Sequence, residues 1–392
     1  KVKNKNMTKS PAFQLFTFVV GALFLRFILE QFIDEKYSFF IRIGAVIFIL
    51  AFGTFFVLKR TAKIIEETTG VLSHRTKLAG GMLQSLGTAF PDMVLGVTAA
   101  LISLRVASTD YSLAINYAII AAATTFGSNI YNIGHAVWCV YRQNLANAKN
   151  KSILMFPYIK KLGTVIPLSQ HKVKPSLKEF DTSIDILNVL TILTAVVAIT
   201  MVLFGRVSNA PNEMNSDLYQ LIRPVGIVIF LLCIFSLYYF RKSKKEESRV
   251  AEQEEKDYYS QKSTPIIFVH LFFSGVAILF AAETMVNAVK VFSDLTGLPF
   301  VLTGVFAGII GCLGEMIVIH NFTINPKGRL GDAIVGVSMD NIVTTMGAAI
   351  VAIMGGIFLG GNALILIFVI ILALNTTLIW QISKLKNFFL PP

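Results

Sequence analysis

Charged residues are scarce in this chain of 392 residues: only 15% are Asp, Glu, Lys or Arg, while 54% are hydrophobic. The mean hydropathy of +0.67 is too high for an ordinary soluble domain. Several stretches of about 20 residues hold almost no charge, and a helix of that length crosses the hydrocarbon core of a bilayer. The composition therefore predicts a polytopic membrane protein whose surroundings are a lipid bilayer.

Cysteine and acidic residues are also few. The three cysteines, Cys139, Cys233 and Cys312, lie in or beside apolar segments, which argues against a disulfide framework. The net charge of +12 is found in proteins that bind nucleic acid, but basic residues of membrane proteins collect in cytoplasmic loops. We therefore expect no nucleic-acid partner.

The apolar segments predict an all-α membrane protein with about ten transmembrane helices, because lipid offers no partner for unpaired backbone groups. The first apolar run follows a basic tail, residues 1–10, but no small-residue cleavage pattern comes after it, so we expect a retained span and not a signal peptide. The ten predicted spans cover residues 11–33, 38–58, 78–106, 112–141, 183–205, 220–240, 265–292, 299–323, 331–358 and 361–383.

Basic residues predict the orientation. With the N-terminus and the C-terminus in the cytoplasm, the inner segments hold 28 of the 35 Lys and Arg residues. This asymmetry follows the positive-inside rule and supports both the span count and the orientation. The mixed-charge run KKEESRVAEQEEKDYYSQK (244–262) predicts a cytoplasmic linker over 242–264, between two halves of the membrane region.

The two halves contain related motifs. LAGGMLQSLGTAFPDM (78–93) aligns with VLTGVFAGIIGCLGEM (301–316), and this alignment places Asp92 opposite Glu315. An Asn-Ile pair follows each motif, in TTFGSNIYNIG (124–134) and in GVSMDNIVTTMG (336–347). The first motif helix enters from the inside and its counterpart from the outside. Inverted repeats of this kind are typical of secondary transporters, whose sites lie near the midplane.

GTAFPD followed by GSNIYNIG resembles the first signature of the cation/calcium exchanger superfamily, the membrane region of sodium/calcium exchangers. The resemblance implies two inverted five-helix repeats, here 38–241 and 265–385, with 11–33 as an extra N-terminal helix. The second repeat departs from the family pattern, since IGCLGE (310–315) lacks its Thr, Ser and Pro. Ala89 also replaces a usual serine.

The resemblance and the helical spacing together predict an oxygen-rich cation site. The carboxylates Asp92 and Glu315 occupy matched positions, and a buried carboxylate costs about 3 kcal/mol in a membrane. Residues four apart share a helix face, so hydroxyl and amide groups join the carboxylates. Hard cations such as Ca²⁺ take about 6–8 oxygen ligands. The predicted ligands are Asp92, Glu315, Asp340, Thr88, Ser128, Asn132 and Thr344.

Other polar residues in the spans receive structural interpretations. Pro91 predicts a kink that frees the carbonyl of Gly87, either for a cation or as a simple bend. Glu283 either lines an ion path or lies near the outer end of its helix. Asn129 and Asn341 are expected to bond between helices. The three histidines His135, His270 and His320 are expected to be hydrogen-bonded core residues.

These features predict a secondary antiporter that exchanges Ca²⁺, or a similar divalent cation, for Na⁺ or H⁺ by alternating access, with no cofactor and no enzymatic activity. Three alternatives stay open. One is a divergent relative that no longer transports, and another is a passive channel. The third is an intramembrane aspartyl protease, for which RLGD (329–332) is the nearest motif.

Overall fold

A computed structural model describes residues 11–76, 89–171, 174–208, 217–239, 258–325 and 330–388. Most of these residues are helical. The helices are α1 Pro11–Phe24, α2 Phe39–Phe52, α3 Lys59–Thr76, α4 Phe90–Val106, α5 Tyr111–Lys149, α6 Leu177–Phe204, α7 Arg223–Tyr239, α8 Thr264–Thr296, α9 Phe300–Ile324, α10 Leu330–Met354 and α11 Gly361–Asn387.

Two short antiparallel strand pairs accompany the helices and were not predicted. β1 (Ile153–Phe156) pairs with β2 (Ile159–Val165), and β3 (Leu218–Gln220) pairs with β4 (Phe358–Gly360). The first pair falls between predicted spans, and the second lies at the ends of the predicted spans 220–240 and 331–358.

Among the described residues, seven helical segments are long and apolar enough to span a membrane. Helix α9 would be an eighth, although its two parts, Phe300–Leu313 and Glu315–Ile324, meet at an angle of 54°. Met93–Val106 and Arg223–Tyr239 are shorter apolar helices. The protein is therefore a multi-pass integral membrane protein, while the count of ten transmembrane helices stays a prediction.

The chain divides into two compact units. The first unit consists of Lys1–Thr88 and Lys242–Leu295 and contains α1, α2, α3 and most of α8. Side chains from α1, α3, α8 and the 3-10 turn Tyr258–Gln261 form its buried apolar cluster. The cluster consists of Leu15, Phe18, Ile64, Val71, Leu72, Tyr259 and Ile267.

The second unit consists of Ala89–Arg241 and Thr296–Pro392 and contains the other helices. Helices α4 and α5 are antiparallel neighbours: Gly96 lies against Thr125, and the Ser103 hydroxyl donates to the Ala114 carbonyl at 2.6 Å. Asp110 begins α5 by accepting a hydrogen bond from the backbone of Leu113 at 2.9 Å, as an N-cap residue does.

Helices α5 and α9 run parallel to each other. Gly304 faces Ala123, and four residues later Gly308 faces Ser128. Since α4 is antiparallel to α5, the two motif helices α4 and α9 run in opposite directions. Helix α10 in turn runs parallel to α4, because Gly347 lies against Met93 and Gly356 lies against Ala100.

Helix α5 is longer than its predicted span 112–141. It contains 39 residues, which corresponds to about 58 Å, roughly twice the thickness of the hydrocarbon core. Beyond the predicted span, Arg142 and Gln143 are polar but buried. Arg142 donates to the Leu154 carbonyl at 3.1 Å, and Gln143 donates to the Ile166 carbonyl at 2.8 Å. The β1–β2 hairpin therefore holds this end of α5.

The predicted start of one further helix was also wrong. Helix α6 begins at Leu177 and not at 183, because Ser176 and Glu179 form a capping box, with hydrogen bonds of 3.2 Å and 2.7 Å. Pro91 lies in the first turn of α4, where the missing amide hydrogen disrupts no helical bond. Proline therefore begins a helix here, and the sharp bend in a motif helix occurs in α9. Gly87 lies outside the described residues.

Candidate functional site

Glu315 is the buried carboxylate at the centre of the candidate site. Its side chain is only 3% exposed, and its Oε2 accepts a 2.7 Å hydrogen bond from the Nδ2 of Asn132. Asn132 lies on α5 and is 1% exposed. The structure thus brings together two of the predicted ligands, one from each half of the sequence.

Glycine allows this approach of α5 and α9. A Cβ atom added at Gly308 would lie 2.6 Å from the backbone nitrogen of Ser128, and one added at Gly127 would lie 2.8 Å from the Cα of Val305. Small residues of this kind let helix backbones approach closely in membranes. Ser128 is 1% exposed, and its hydroxyl donates to the Thr125 carbonyl at 2.9 Å, so its oxygen keeps a lone pair for a cation.

Three buried amide oxygens in this region have no hydrogen-bond partner among the described residues. They are the Oδ1 atoms of Asn129, Asn132 and Asn341. Asn341 uses its nitrogen to donate to the Val337 carbonyl, at 2.7 Å within its own helix, so the expected bond between helices was wrong for this residue. A buried polar atom without a partner costs about 1–3 kcal/mol, and a bound ion or an ordered water would satisfy it.

Asn129 and Asn341 are matched residues of the two repeats, since each opens the Asn-Ile pair of its motif. Both motifs thus place an amide oxygen with no partner in the described chain on a buried helix face. The sequence predicts hydrogen bonds between helices for both residues, a structural role. The duplicated Asn-Ile pair was the signal that could have identified them as candidate ligands.

Asp340 and Thr344 lie on consecutive turns of α10 and are 6% and 1% exposed. The Thr344 hydroxyl donates to the Asp340 carbonyl at 3.0 Å, which fixes the direction of its lone pairs. The burial of a carboxylate and a hydroxyl four residues apart agrees with the predicted shared face. That the Asp340 carboxylate points to the same cavity as Glu315 stays a prediction.

Asp92 lies in the first turn of α4, but its side chain and all of Thr88 lie outside the described part of the structure. The backbone contacts still place this turn. Met93 packs against Gly347, one turn beyond Thr344, and Gly96 packs against Thr125, one turn before Ser128. The first turn of α4 therefore lies beside the motif segments of both α10 and α5.

The bend of α9 falls at the candidate site. The two parts of the helix meet between Leu313 and Glu315, at Gly314, and a helix bends sharply where glycine weakens it. Discontinuous helices expose backbone carbonyls and helix ends to bound ions in secondary transporters. The bend adds a possible source of backbone oxygens next to the buried carboxylate.

Glu283 lies in the first unit and forms an ion pair there. Its Oε1 forms an ion pair of 2.9 Å with Arg26, and Arg26 also pairs with Glu30 at 2.6 Å. Glu30 accepts further hydrogen bonds from Asn287 at 2.7 Å and from Thr284 at 3.1 Å. This network joins the first apolar segment to α8, so Glu283 has a structural partner there.

The expectation of a hydrogen-bonded core residue holds for His270, which is buried, whereas His320 is hydrogen-bonded but only partly buried. The Nδ1 of His270 lies 2.9 Å from the Tyr259 hydroxyl, and the Nε2 of His320 lies 2.9 Å from the Leu162 carbonyl. His135 instead stacks on His320, with ring centroids 5.6 Å apart.

The fold thus defines a multi-pass membrane protein in which buried polar side chains lie where α5 and α9 pack. No family model and no curated relative matches the chain. Among solved structures, the chain is similar to the H⁺/Ca²⁺ exchanger CAX, with a TM-score of 0.60 and 13% identity over 97% of this chain and 89% of that one. The match to YfkE covers 96% of this chain and 99% of that one, with a TM-score of 0.48 and 13% identity. The match to the sodium-calcium exchanger NCX_Mj covers 88% of this chain and 97% of that one, with a TM-score of 0.42 and 14% identity.

The likeness to CAX shows that the chain has the fold of a cation/calcium exchanger. The resemblance inferred from GTAFPD and GSNIYNIG is therefore confirmed at the level of the fold, in a divergent sequence.

Proposed function

We propose that this protein is a secondary active antiporter that exchanges Ca²⁺, or a similar divalent cation, for Na⁺ or H⁺ by alternating access. The observation that carries the proposal is the buried Glu315 carboxylate, held by Asn132 where α5 and α9 pack. A carboxylate with buried amide and hydroxyl oxygens nearby is the ligand chemistry that hard cations prefer. The partners that we propose are inorganic cations, as the transported ions, and the lipid bilayer.

The directions of the helices support two inverted repeats, 38–241 and 265–385. The matched motif acids lie on α4 and α9, which run in opposite directions. Each of these helices is followed by an antiparallel helix, α5 or α10, that carries an Asn-Ile pair. Ten transmembrane helices result when the bent α9 and the shorter α4 and α7 count as spans. Both termini are then cytoplasmic.

Charge explains how such a site produces exchange. Uncompensated carboxylates in an empty site have a high free energy in a low-dielectric interior. The protein therefore changes between its inward-facing and outward-facing conformations only when cations neutralise the carboxylates. Bound Ca²⁺ supplies this neutralisation in one direction, and Na⁺ or H⁺ supplies it in the other. The loss of the usual hydroxyls at Ala89, Gly311 and Cys312 favours H⁺ over Na⁺, because a proton needs only one carboxylate oxygen.

The test is Ca²⁺ uptake into liposomes that contain the purified protein, under an imposed pH gradient, an imposed Na⁺ gradient or neither. We expect uptake driven by at least one gradient, and we expect Glu315→Gln to abolish it. The matched control is Asp181→Asn, which removes a carboxylate that is 53% exposed and pairs with Lys386. Uptake by Glu315→Gln at the parent rate, or uptake that neither gradient drives, would overturn the proposal.

A further inference from the structure

A second cluster of possible metal ligands lies on the same helix pair as Glu315 but contains nitrogen and sulfur. Suitable ligand atoms of His135, Cys139 and His320 all lie within 4.8 Å of one another. His135 and Cys139 are four residues apart on α5 and share a face, and His320 comes from α9. Cys139 is fully buried, whereas both imidazoles are partly exposed.

The hairpin next to the cluster orients His320. The Nε2 of His320 lies 2.9 Å from the Leu162 carbonyl of β2, an arrangement that places a proton on Nε2 and leaves Nδ1 as the acceptor. Metal-binding histidines commonly donate their second ring nitrogen to a backbone carbonyl in this way. Phe156 of β1 stacks on both rings, with centroids 6.4 Å from His135 and 6.1 Å from His320.

We propose that His135, Cys139 and His320 form a binding site for Zn²⁺ or a similar transition-metal ion. Two imidazoles and one thiolate are typical zinc ligands, and a fourth position stays open for water. On binding, the Cys139 thiol gives its proton to solvent and its sulfur bonds to the metal as thiolate. Ca²⁺ and Na⁺ prefer oxygen, so this site and the Glu315 site select different ions.

The proposed metal site lies between α5 and α9, close to Asn132 and Glu315. His135 lies three residues after Asn132, about 4.5 Å along α5, and His320 lies five residues after Glu315, about 7.5 Å along α9. A bound metal would therefore join α5 to α9 next to the Asn132–Glu315 contact. If the proposed function is correct, Zn²⁺ should inhibit transport by fixing these two helices.

Cobalt binding tests the site without any transport measurement. Co²⁺ replaces Zn²⁺ in such sites, and a Co²⁺–thiolate bond gives a charge-transfer absorption that oxygen ligands do not give. We expect the purified full-length protein to show this absorption at one Co²⁺ per chain, and we expect added Zn²⁺ to remove it. Cys139→Ser should abolish the absorption. His135→Gln and His320→Gln each remove a ligand, so each should weaken Co²⁺ binding by more than the roughly 10–100-fold that the loss of an outer-shell partner costs.

Three control variants separate this site from the rest of the chain. Cys233→Ser removes another buried thiol, His171→Gln removes a buried histidine, and Glu315→Gln alters the proposed transport site. All three should keep the absorption of the parent. No thiolate absorption in the parent protein, or an absorption that survives in Cys139→Ser, would overturn the proposal. If Cys139→Ser does not fold, the histidine variants decide: Co²⁺ affinity equal to that of the parent in both of them would overturn the proposal.

Discussion

Asn132 and Glu315 are 183 residues apart in the chain, yet the amide of one donates a 2.7 Å hydrogen bond to the buried carboxylate of the other. The bond joins the two parallel helices α5 and α9, which belong to different halves of the sequence. The remaining oxygen of Asn132 is buried and has no hydrogen-bond partner among the described residues. One side chain can therefore orient the carboxylate with its nitrogen and offer its oxygen to a cation.

Asn132→Ala tests this double role. The substitution removes a donor from a buried carboxylate, so we expect the free energy of unfolding to fall by about 1–3 kcal/mol and Ca²⁺ uptake to be lost. Asn144→Ala is the matched control. Asn144 is also buried on α5, and its Oδ1 also has no partner among the described residues, but its Nδ2 donates to the Gln381 side chain at 2.8 Å and not to a carboxylate. Thermal unfolding and liposome uptake are measured for both variants. Uptake that falls equally in both would reduce Asn132 to a structural residue.

Hydropathy predicted the apolar helices. The motifs and the family resemblance placed Glu315 and Asn132 in one predicted ligand set, and the structure brings these two side chains into contact, while cation binding by them stays a prediction. Hydropathy could not predict where α5 ends, because Arg142 and Gln143 look like loop residues until the β1–β2 hairpin provides acceptors for them. Pro91 lies in the first turn of α4, while Gly87, whose carbonyl it was predicted to free, lies outside the described residues. Its effect depends on whether it falls in the first turn of a helix or further inside, and the sequence pattern alone did not locate the helix start.

Gly308→Ala tests the close packing of α5 and α9. The new Cβ would lie 2.6 Å from the Ser128 nitrogen and 2.7 Å from the Thr124 carbonyl oxygen, so the helices must separate. We expect a loss of about 1–3 kcal/mol in the free energy of unfolding, together with loss of transport.

Gly336→Ala is the control for this substitution, because a Cβ at that position in α10 meets no atom within 4 Å. Alanine has a better helix propensity than glycine, so this variant should be as stable as the parent or more stable by up to about 1 kcal/mol. Thermal unfolding in detergent compares the two. Equal stability of both variants would contradict the packing inferred for Gly308.

Arg26→Met tests the ion-pair network of the first unit. The substitution leaves Glu30 and Glu283 without their shared cation, at side chains that are 19% and 25% exposed. We expect the free energy of unfolding to fall by about 2 kcal/mol, because charged groups lose their partner in a poorly solvated place. Lys36→Met is the control, since its pair with Asp34 is 3.4 Å long and more than half exposed. A Tm change no larger than that of the control would show that the network adds little.

Asp340→Asn tests how the antiport is coupled. The motif of the second repeat carries this acid where the family pattern places a serine, and the side chain is buried with 6% exposure. Carboxylates that share one site repel each other, and a proton relieves this repulsion more easily than a weakly bound Na⁺ does. We therefore expect the parent to take up Ca²⁺ under a pH gradient more strongly than under a Na⁺ gradient. The variant should lose most of the pH-driven component.

The control for this experiment is Asp294→Asn, which removes a partly exposed acid that pairs with Lys290 at 2.7 Å. Liposomes with each protein receive the same Ca²⁺ concentration and either gradient, and uptake is compared with liposomes that hold no gradient. The control should keep the gradient preference of the parent, since its carboxylate belongs to the first unit and to a local ion pair. If Na⁺ alone drives full exchange, and Asp340→Asn changes neither activity, then Asp340 is not a ligand and the second repeat binds its cation through Glu315 without it.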